Sequence, residues 1–439
     1  MVSQHEQAIL DEIDPWKMYE WDRYLSQDIG SRMSGTEGDR KSIEWISNHF
    51  TAQGLKIELD RFNTLSWEYF GTTFKVGPPL NVKLNSRAAY YSYPTPKGGV
   101  DGELVFVGKG MEEEFATVPV EDKIALARAS SADPLFWLGS FITRAKRHGA
   151  AAFVVCNGSP VAFTPSASFG RWDHSRGWEH EYPSKDLSVP CVTISSTDAM
   201  ELLHAVGRGG VRAQIEVDCI TEPRDGANVR AFIPGSEKPM ERVLIHAHRD
   251  DGACSGANDN GSGTVAMMML AEIMAKLTAP KRTIEFISTG SEEGISDGMV
   301  QYIVNRERDG TLLDAVAGFN IDMVGVGGPA CIVDGGTYPD QPDHNVKHNK
   351  ELNDFVENVG KEIGVFLGHL WGSWGTPEQG HLNEHGVPGM CIWKADDPNY
   401  HSDNEHVDLI DWNAVKAVAQ VVGVAAWRVA NDTTIAFPR

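Results

Sequence analysis

Apolar positions along the chain follow two rhythms. In the first segment Ile43, Ile46 and Phe50 recur at helical spacing behind Thr36, and Gly54 is placed to stop the turn, which predicts an amphipathic helix. From about Gly98 the texture shortens. Two β-rich runs, Glu103–Val107 and Lys123–Ala127, precede a helical stretch, Phe136–His148, and an apolar strand, Ala150–Val155. The polar, aromatic run from Phe169 to Trp178 predicts a loop or lid. Thr221–Gly226 reads as a linker. Beyond it, strands at Val243–Ile245, Ile284–Ile287, Gly318–Ile321 and Met390–Trp393 alternate with helices. Those helices are Thr264–Leu277, Gly298–Asn305, one with Leu352, Phe355, Val356, Val359 and Ile363 on one face, and Trp412–Val429. This alternation predicts an α/β fold with a mostly parallel sheet sandwiched by helices. Met267–Met269 falls on a helix and reads as core filler.

Composition narrows the class. At about 150 residues per domain, 439 residues make two or three domains. A hydrophobic share of 41% with 23% charged residues describes a globular protein with a sizeable core. Sixty-one acidic residues against 39 Lys and Arg leave a net charge of −22, which excludes nucleic-acid or anionic-membrane binding by general electrostatics. Met1–Glu6 lacks the basic and apolar regions of a secretory signal. The longest uncharged apolar stretch, Ala417–Trp427, is too short to span a bilayer. Cys156, Cys191, Cys219, Cys254, Cys331 and Cys391 form no C-x-x-C pair. They read as buried hydrophobes in a reducing cytoplasm.

Chemistry concentrates after four predicted strands, where α/β folds place their sites. His248 and Asp250 follow the first, then Asn258-Asp259-Asn260 inside a glycine-rich run from Gly256 to Gly263. Glu292-Glu293 follow the second, Asp322 the third, and Asp397 to Asp403, with Tyr400 and His401, the fourth. A single such residue is ordinarily structural; four converging loops make a site. On extended backbone His248 and Asp250 share a face, so the carboxylate can orient a ligating imidazole. Of two adjacent glutamates, one can bind metal while the other moves a proton.

The set H-x-D, G-A-N-D-N-G-S-G, S-E-E-G, N-I-D and Y-H-S resembles the zinc-dependent exopeptidases of the M28 aminopeptidase family across about residues 225 to 430. Residues 95–222 resemble the protease-associated domain that some members insert. That likeness rests on Val105–Gly108, Asp122–Leu126 and Arg147–Ala151. The resemblance divides the chain into 1–94, the N-terminal part of the catalytic domain, 95–222, a smaller β-rich insertion, and 223–439, the di-zinc core. It implies two Zn²⁺ per chain, with Co²⁺ or Mn²⁺ as substitutes. His248 and Asp322 would hold one, Glu293 and His401 the other, and Asp259 would bridge. Glu292 would be the general base, Asp250 would orient His248, and Tyr400 would hydrogen-bond the oxyanion. The implied activity is hydrolysis of peptide or small amide bonds by metal-activated water, foremost as an aminopeptidase. A carboxypeptidase and a non-peptide amidohydrolase share this residue set and stay open, as does the oligomeric state. One departure touches specificity: where the family carries Ser-Asp-His and a later Phe, this chain has Pro377-Glu378-Gln379-Gly380-His381-Leu382, with Trp371 and Trp374 nearby.

Two motifs compete. His381–His385 matches the inverted zinc-peptidase pattern H-x-x-E-H, but Gly386-Val387-Pro388 ends any helix at once. Gly294–Gly298 matches the G-x-S-x-G nucleophile elbow, with His401 downstream in triad order. Against it, Gly290–Glu293 separates the strand from the serine, and no H-G-G-G segment is present. A serine hydrolase therefore stands as the rival catalytic class. A binding protein on the same fold is the non-catalytic alternative, and retention of all five ligands with Glu292 argues against it.

Overall fold

The computed structural model describes residues 2–128, 138–165, 172–173, 177–178, 188–338, 341–372 and 376–439. Trp374, most of the Phe169–Trp178 run and the first two residues of the predicted Phe136–His148 helix lie outside the described residues. In chain order the strands that position the site are β1 (Lys56–Val76), β2 (Ser86–Ala88), β3 (Val100–Phe106), β4 (Ile124–Arg128), β5 (Ala152–Cys156), β6 (Cys191–Ile194), β7 (Arg212–Ile233), β8 (Lys238–His248), β9 (Arg282–Thr289), β10 (Ala315–Ile321), β11 (Ala330–Tyr338) and β12 (Gly389–Lys394). The helices that cover the central sheet include α1 (Gln4–Glu12), α2 (Glu37–Ala52), α3 (Gly263–Met274), α4 (Asp297–Arg308), α5 (Lys350–Ile363), α6 (Gln379–Glu384) and α7 (Trp412–Asn431).

The strands pair in the order β11-β12-β10-β8-β9-β7-β3-β4-β5-β6-β2. At the centre β9, β8, β10 and β12 run parallel, so their carboxyl ends open on one edge. Alternation along each strand splits the core between two faces. Val243, Ile245 and Ala247 of β8 pack with Ile9, Ile46, Phe50, Met267, Val356 and Val422, under α1, α2, α3, α5 and α7. Leu244 of the same strand turns the other way, to Ile287, Met299, Tyr302 and Leu382 under α4 and α6. α3 is buried along its whole length, Met267–Met269 included; its sequence is apolar but for Thr264 and Glu272, and Glu272 pairs with Lys17.

β1 and β7 form a long antiparallel ribbon, paired from Lys56↔Phe232 to Val76↔Ala213. Its one end joins the central sheet through β9; its other end joins β3 and a smaller parallel set, β3-β4-β5-β6. Around that set a second core gathers Trp67, Phe74, Tyr90 and Tyr91 with Leu104, Leu126, Val154 and Ile215, drawing on both sides of residue 95. The ribbon corrects one expectation. Thr221–Gly226 is not a linker but the middle of β7, with Pro223 opposite Leu65 and Gly226 opposite Phe62. On its far edge β7 meets β3 only at Arg212–Ile215 and β9 only at Val229–Ile233, leaving an edge between them that tolerates a proline and polar residues. The other predicted elements stand within a few residues of their expected ends. The Thr36 hydroxyl accepts from the Asp39 N–H to cap α2, and five of the six cysteines are buried. Among the described residues no helix is long and apolar enough to cross a membrane.

Candidate metal centre

β8 ends on His248, and the loop that follows is tied down by buried charge. The Arg249 guanidinium donates to Asp39 of α2 at 2.6 Å and to the Ala227 carbonyl at 2.7 Å. Arg32 donates to the carbonyls of Arg249 (2.7 Å), Ser255 (2.7 Å) and Gly256 (2.8 Å), holding both ends of the loop. Gly256 has a left-handed φ of 58°, and a Cβ there would meet Asp251 and the Arg32 guanidinium.

The loop from Ala257 to Ser262 is laced to the one after β10. Asn258 Oδ1 accepts from Gly325 and Val326 N–H at 2.9 and 3.1 Å. Asn260 Oδ1 accepts from Met323 N–H at 3.2 Å, and its amide donates to the Ile321 carbonyl. Glu405 accepts from the N–H groups of Asn258 and Asp259 at 2.9 and 2.8 Å. Asp259 is thereby fixed between two imidazoles: its Oδ1 lies 3.2 Å from His248 Nε2, and its Oδ2 lies 3.1 Å from His401 Nε2. Asp322 Oδ1 stands 3.3 Å from the first ring nitrogen and Glu293 Oε1 2.9 Å from the second. The structure brings all five of these residues together.

The donor set fits divalent metal. A carbonyl can only accept, so the 3.0 Å contact of His401 Nδ1 with the Thr164 carbonyl puts the hydrogen on Nδ1. Nε2 then faces the oxygens of Asp259 and Glu293, where a proton or a bound cation would balance the carboxylates. Ligand atoms of His248, Asp259 and Glu293 lie within 4.8 Å of one another. Acidities tell the same story. Burial pushes Glu293 up to about 8, and Asp322 is raised by burial too. Burial opposes protonation of His248 and His401, yet the carboxylates around them raise both. Asp259, which burial would raise, is held low by its bonds to the two rings. The cluster carries more negative charge than an apolar interior retains without cations.

Residues 228–426 match the model of peptidase family M28. That segment resembles the family, and all five clustered residues lie inside it. Aminopeptidase YwaD of Bacillus subtilis (strain 168) is 28% identical over 304 residues, which cover 69% of this chain and 60% of that one. Carboxypeptidase Q of Bos taurus is 23% identical over 294 residues, 65% of this chain and 60% of that one. The chain thus spans about three fifths of the length of these curated relatives. The crystal structure of BSAP, a zinc aminopeptidase from Bacillus subtilis, shares the fold, with a TM-score of 0.72 at 21% identity over 95% of this chain and 96% of that one.

The remaining candidates of the matched segment fall around the cluster. Asp250 faces the His248 ring, its Oδ1 3.6 Å from Nδ1, an ion-pair contact longer than a hydrogen bond that helps to raise His248. Its oxygens also accept from the N–H groups of Glu292 and Glu293, both at 3.1 Å, so it fixes the turn that carries both glutamates. Burial, with Glu293, Asp322 and Glu378 nearby, raises the Glu292 carboxyl well above its usual range. Tyr400 lies flat on His401, ring centroids 3.7 Å apart. Glu378, from the stretch that departs from the family pattern, is fully buried and accepts from Thr289 Oγ1 at 2.7 Å. Arg32, Asp39, Arg87 and Thr164, which secure these loops, lie outside the motifs; each acts through a partner at least 70 residues away along the chain.

The rival motifs take other places. Ser296 begins α4 with a φ of 56°, and His401 has Nδ1 on Thr164 and Nε2 between two carboxylates, so neither nitrogen serves a serine. His385 closes α6 and pairs with Glu307 at 2.6 Å, away from the cluster.

Gly252 lies against the His401 ring, and a Cβ there would overlap the imidazole. Gly252→Ala is expected to displace that ring and lower metal affinity about 10–100-fold, the cost of losing a ligand's orientation. Competition with a chelator checks this; unchanged affinity would show that the ring has room to yield.

Proposed function

We propose that this chain is a zinc-dependent exopeptidase of the aminopeptidase type. The observation that carries the reading is Asp259 bracketed by His248 and His401, with the glutamate next to Glu293 left outside the bracket. The nitrogen and oxygen donors suit Zn²⁺: His248 and Asp322 would hold one ion, Glu293 and His401 a second, and Asp259 would serve both. Zinc held there would lower the pKa of water and polarise a carbonyl.

The chain's own groups do the rest. Glu292 takes a proton as water attacks the carbonyl carbon, and returns it to the amine nitrogen as the C–N bond breaks. Burial raises its pKa, which makes the carboxylate a stronger proton acceptor. Asp250 keeps Glu292 and Glu293 in register, so that one binds metal while the other stays free. Tyr400, stacked on His401, supplies a phenol to hydrogen-bond the developing oxyanion. The unit built on β3-β4-β5-β6, completed by β2 and the residues up to Tyr91 from segment 1–94, corresponds to the protease-associated insertion at 95–222, between catalytic segments 1–94 and 223–439. The six cysteines, five of them buried, suit a reducing cytoplasm.

The test is hydrolysis of free, N-blocked and C-blocked dipeptides, before and after chelation and zinc re-addition. Cleavage of free-amine substrates that stops with chelator and returns with zinc is expected. Zinc-dependent cleavage confined to N-blocked substrates would make the enzyme a carboxypeptidase. Activity indifferent to chelation would overturn the metal mechanism.

A further inference from the structure

The two imidazoles of the cluster are supported by different parts of the fold. His248 ends β8 and Asp322 follows β10, so both rest on neighbouring strands of the central sheet. His401 stands on a loop beyond β12, with a φ of 50°, and its support comes from the smaller unit. Thr164 accepts from His401 Nδ1 at 3.0 Å, and its own N–H donates back to the His401 carbonyl at 3.0 Å. Thr164 is itself held to the smaller unit, since Thr193 of β6 donates to the neighbouring Phe163 carbonyl at 2.6 Å.

Arg87 of β2 gathers these contacts. It is 2% exposed and packs over the Tyr69 ring at 5.2 Å. Nε donates to Thr164 Oγ1 at 2.9 Å and Nη2 to the Ala253 carbonyl at 2.5 Å. Nη1 pairs with Asp403, two residues beyond His401. One planar fork therefore spans the loop after β8, the loop after β12 and the hydroxyl of Thr164, whose carbonyl orients the ring. Lysine, a single-point donor, cannot make all three contacts. Tyr91 of the same unit places its hydroxyl against Gly294, beside Glu293. Both members of the Glu293–His401 pair thus abut the smaller unit.

We infer that Arg87 is a positioning residue for the His401 half of the centre, so that the smaller unit completes a site the main sheet begins. The inference rests on the two-metal reading above. It assigns the halves unequal dependence: the His248–Asp322 half needs only the sheet, and the Glu293–His401 half needs Arg87 and Thr164.

Zinc titration of the metal-stripped full chain, by calorimetry and by chelator competition, tests this without using activity. The wild type is expected to bind two equivalents. Arg87→Ala is expected to leave the first unchanged and weaken the second about 10–100-fold, the range for loss of a ligand's orienting partner. Arg87→Lys should fall between the two. Thr164→Val removes only the hydroxyl bonded to Arg87 and should shift the second equivalent in the same direction. It decides the matter should circular dichroism show Arg87→Ala unfolded. Two equivalents bound with unchanged affinities in these variants, or both weakened alike, would overturn the inference. A wild type that binds fewer than two would overturn the metal reading itself, and the inference with it.

Discussion

Glu292→Gln is expected to lower kcat by about 10²–10⁴-fold, the contribution of a positioned proton carrier, with both metal equivalents and KM unchanged. The expectation follows from where the side chain stands. Asp259, Glu293 and Asp322 bracket the ring nitrogens at 2.9–3.3 Å, while Glu292 is tied to the cluster through its backbone N–H on Asp250. Glutamine has the same shape and keeps that N–H, so the turn and the neighbouring ligand persist. What it lacks is an oxygen that can take a proton. Turnover and metal content, measured on one preparation, separate the possibilities. Near-normal turnover would remove Glu292 from the proton path, and loss of a metal equivalent would make it a ligand instead.

Asp259→Ala has the larger expected effect on metal. Because Oδ1 and Oδ2 serve different imidazoles, one substitution strips a donor from both sides. Both equivalents are expected to weaken by more than the roughly 10–100-fold that loss of an orienting partner costs, leaving a nearly metal-free protein after dialysis. The loop should keep its place, because Glu405 holds residues 258 and 259 by their backbone N–H groups, which alanine retains. Elemental analysis against protein concentration reads the result. Retention of one full equivalent would mean that Asp259 serves one side only.

The central fold was legible because its signals are local. Apolar runs followed by His, Asp or Glu mark strands buried on both faces. His248 and Asp322 stand at the ends of their strands and Glu293 and His401 in the loops after theirs, so the loops that follow the strands could be searched for all four without coordinates. Asp250 shows where local reasoning stops: alternation puts its carboxylate on the side of the His248 ring, but its two hydrogen bonds to the Glu292 and Glu293 N–H groups join it to a loop more than 40 residues away, which no local pattern announces. Arg32, Arg249 and Glu405 carried no motif. A buried charge is recognisable only beside its partner, and Arg249 meets Asp39 across 210 positions of chain. The β7 ribbon was misread for a related reason, since the polar run around Pro223 gains its strand character from β1.

That ribbon also bears on how the molecule assembles. Lys56 and Phe232 are neighbours in space, and so are Val76 and Ala213, with the whole smaller unit strung between the latter pair. Joining such distant ends costs loop-closure entropy, which grows with the logarithm of the loop and shrinks once the intervening chain is compact. The parallel contacts of β3 to β6 are closer in sequence than the ribbon's outer pairs. Collapse of the smaller unit therefore draws β1 and β7 together at Val76 and Ala213, and pairing can zip from there toward Lys56. The element that supports His401 in the finished protein would also serve as the clasp from which the edge of the catalytic sheet closes.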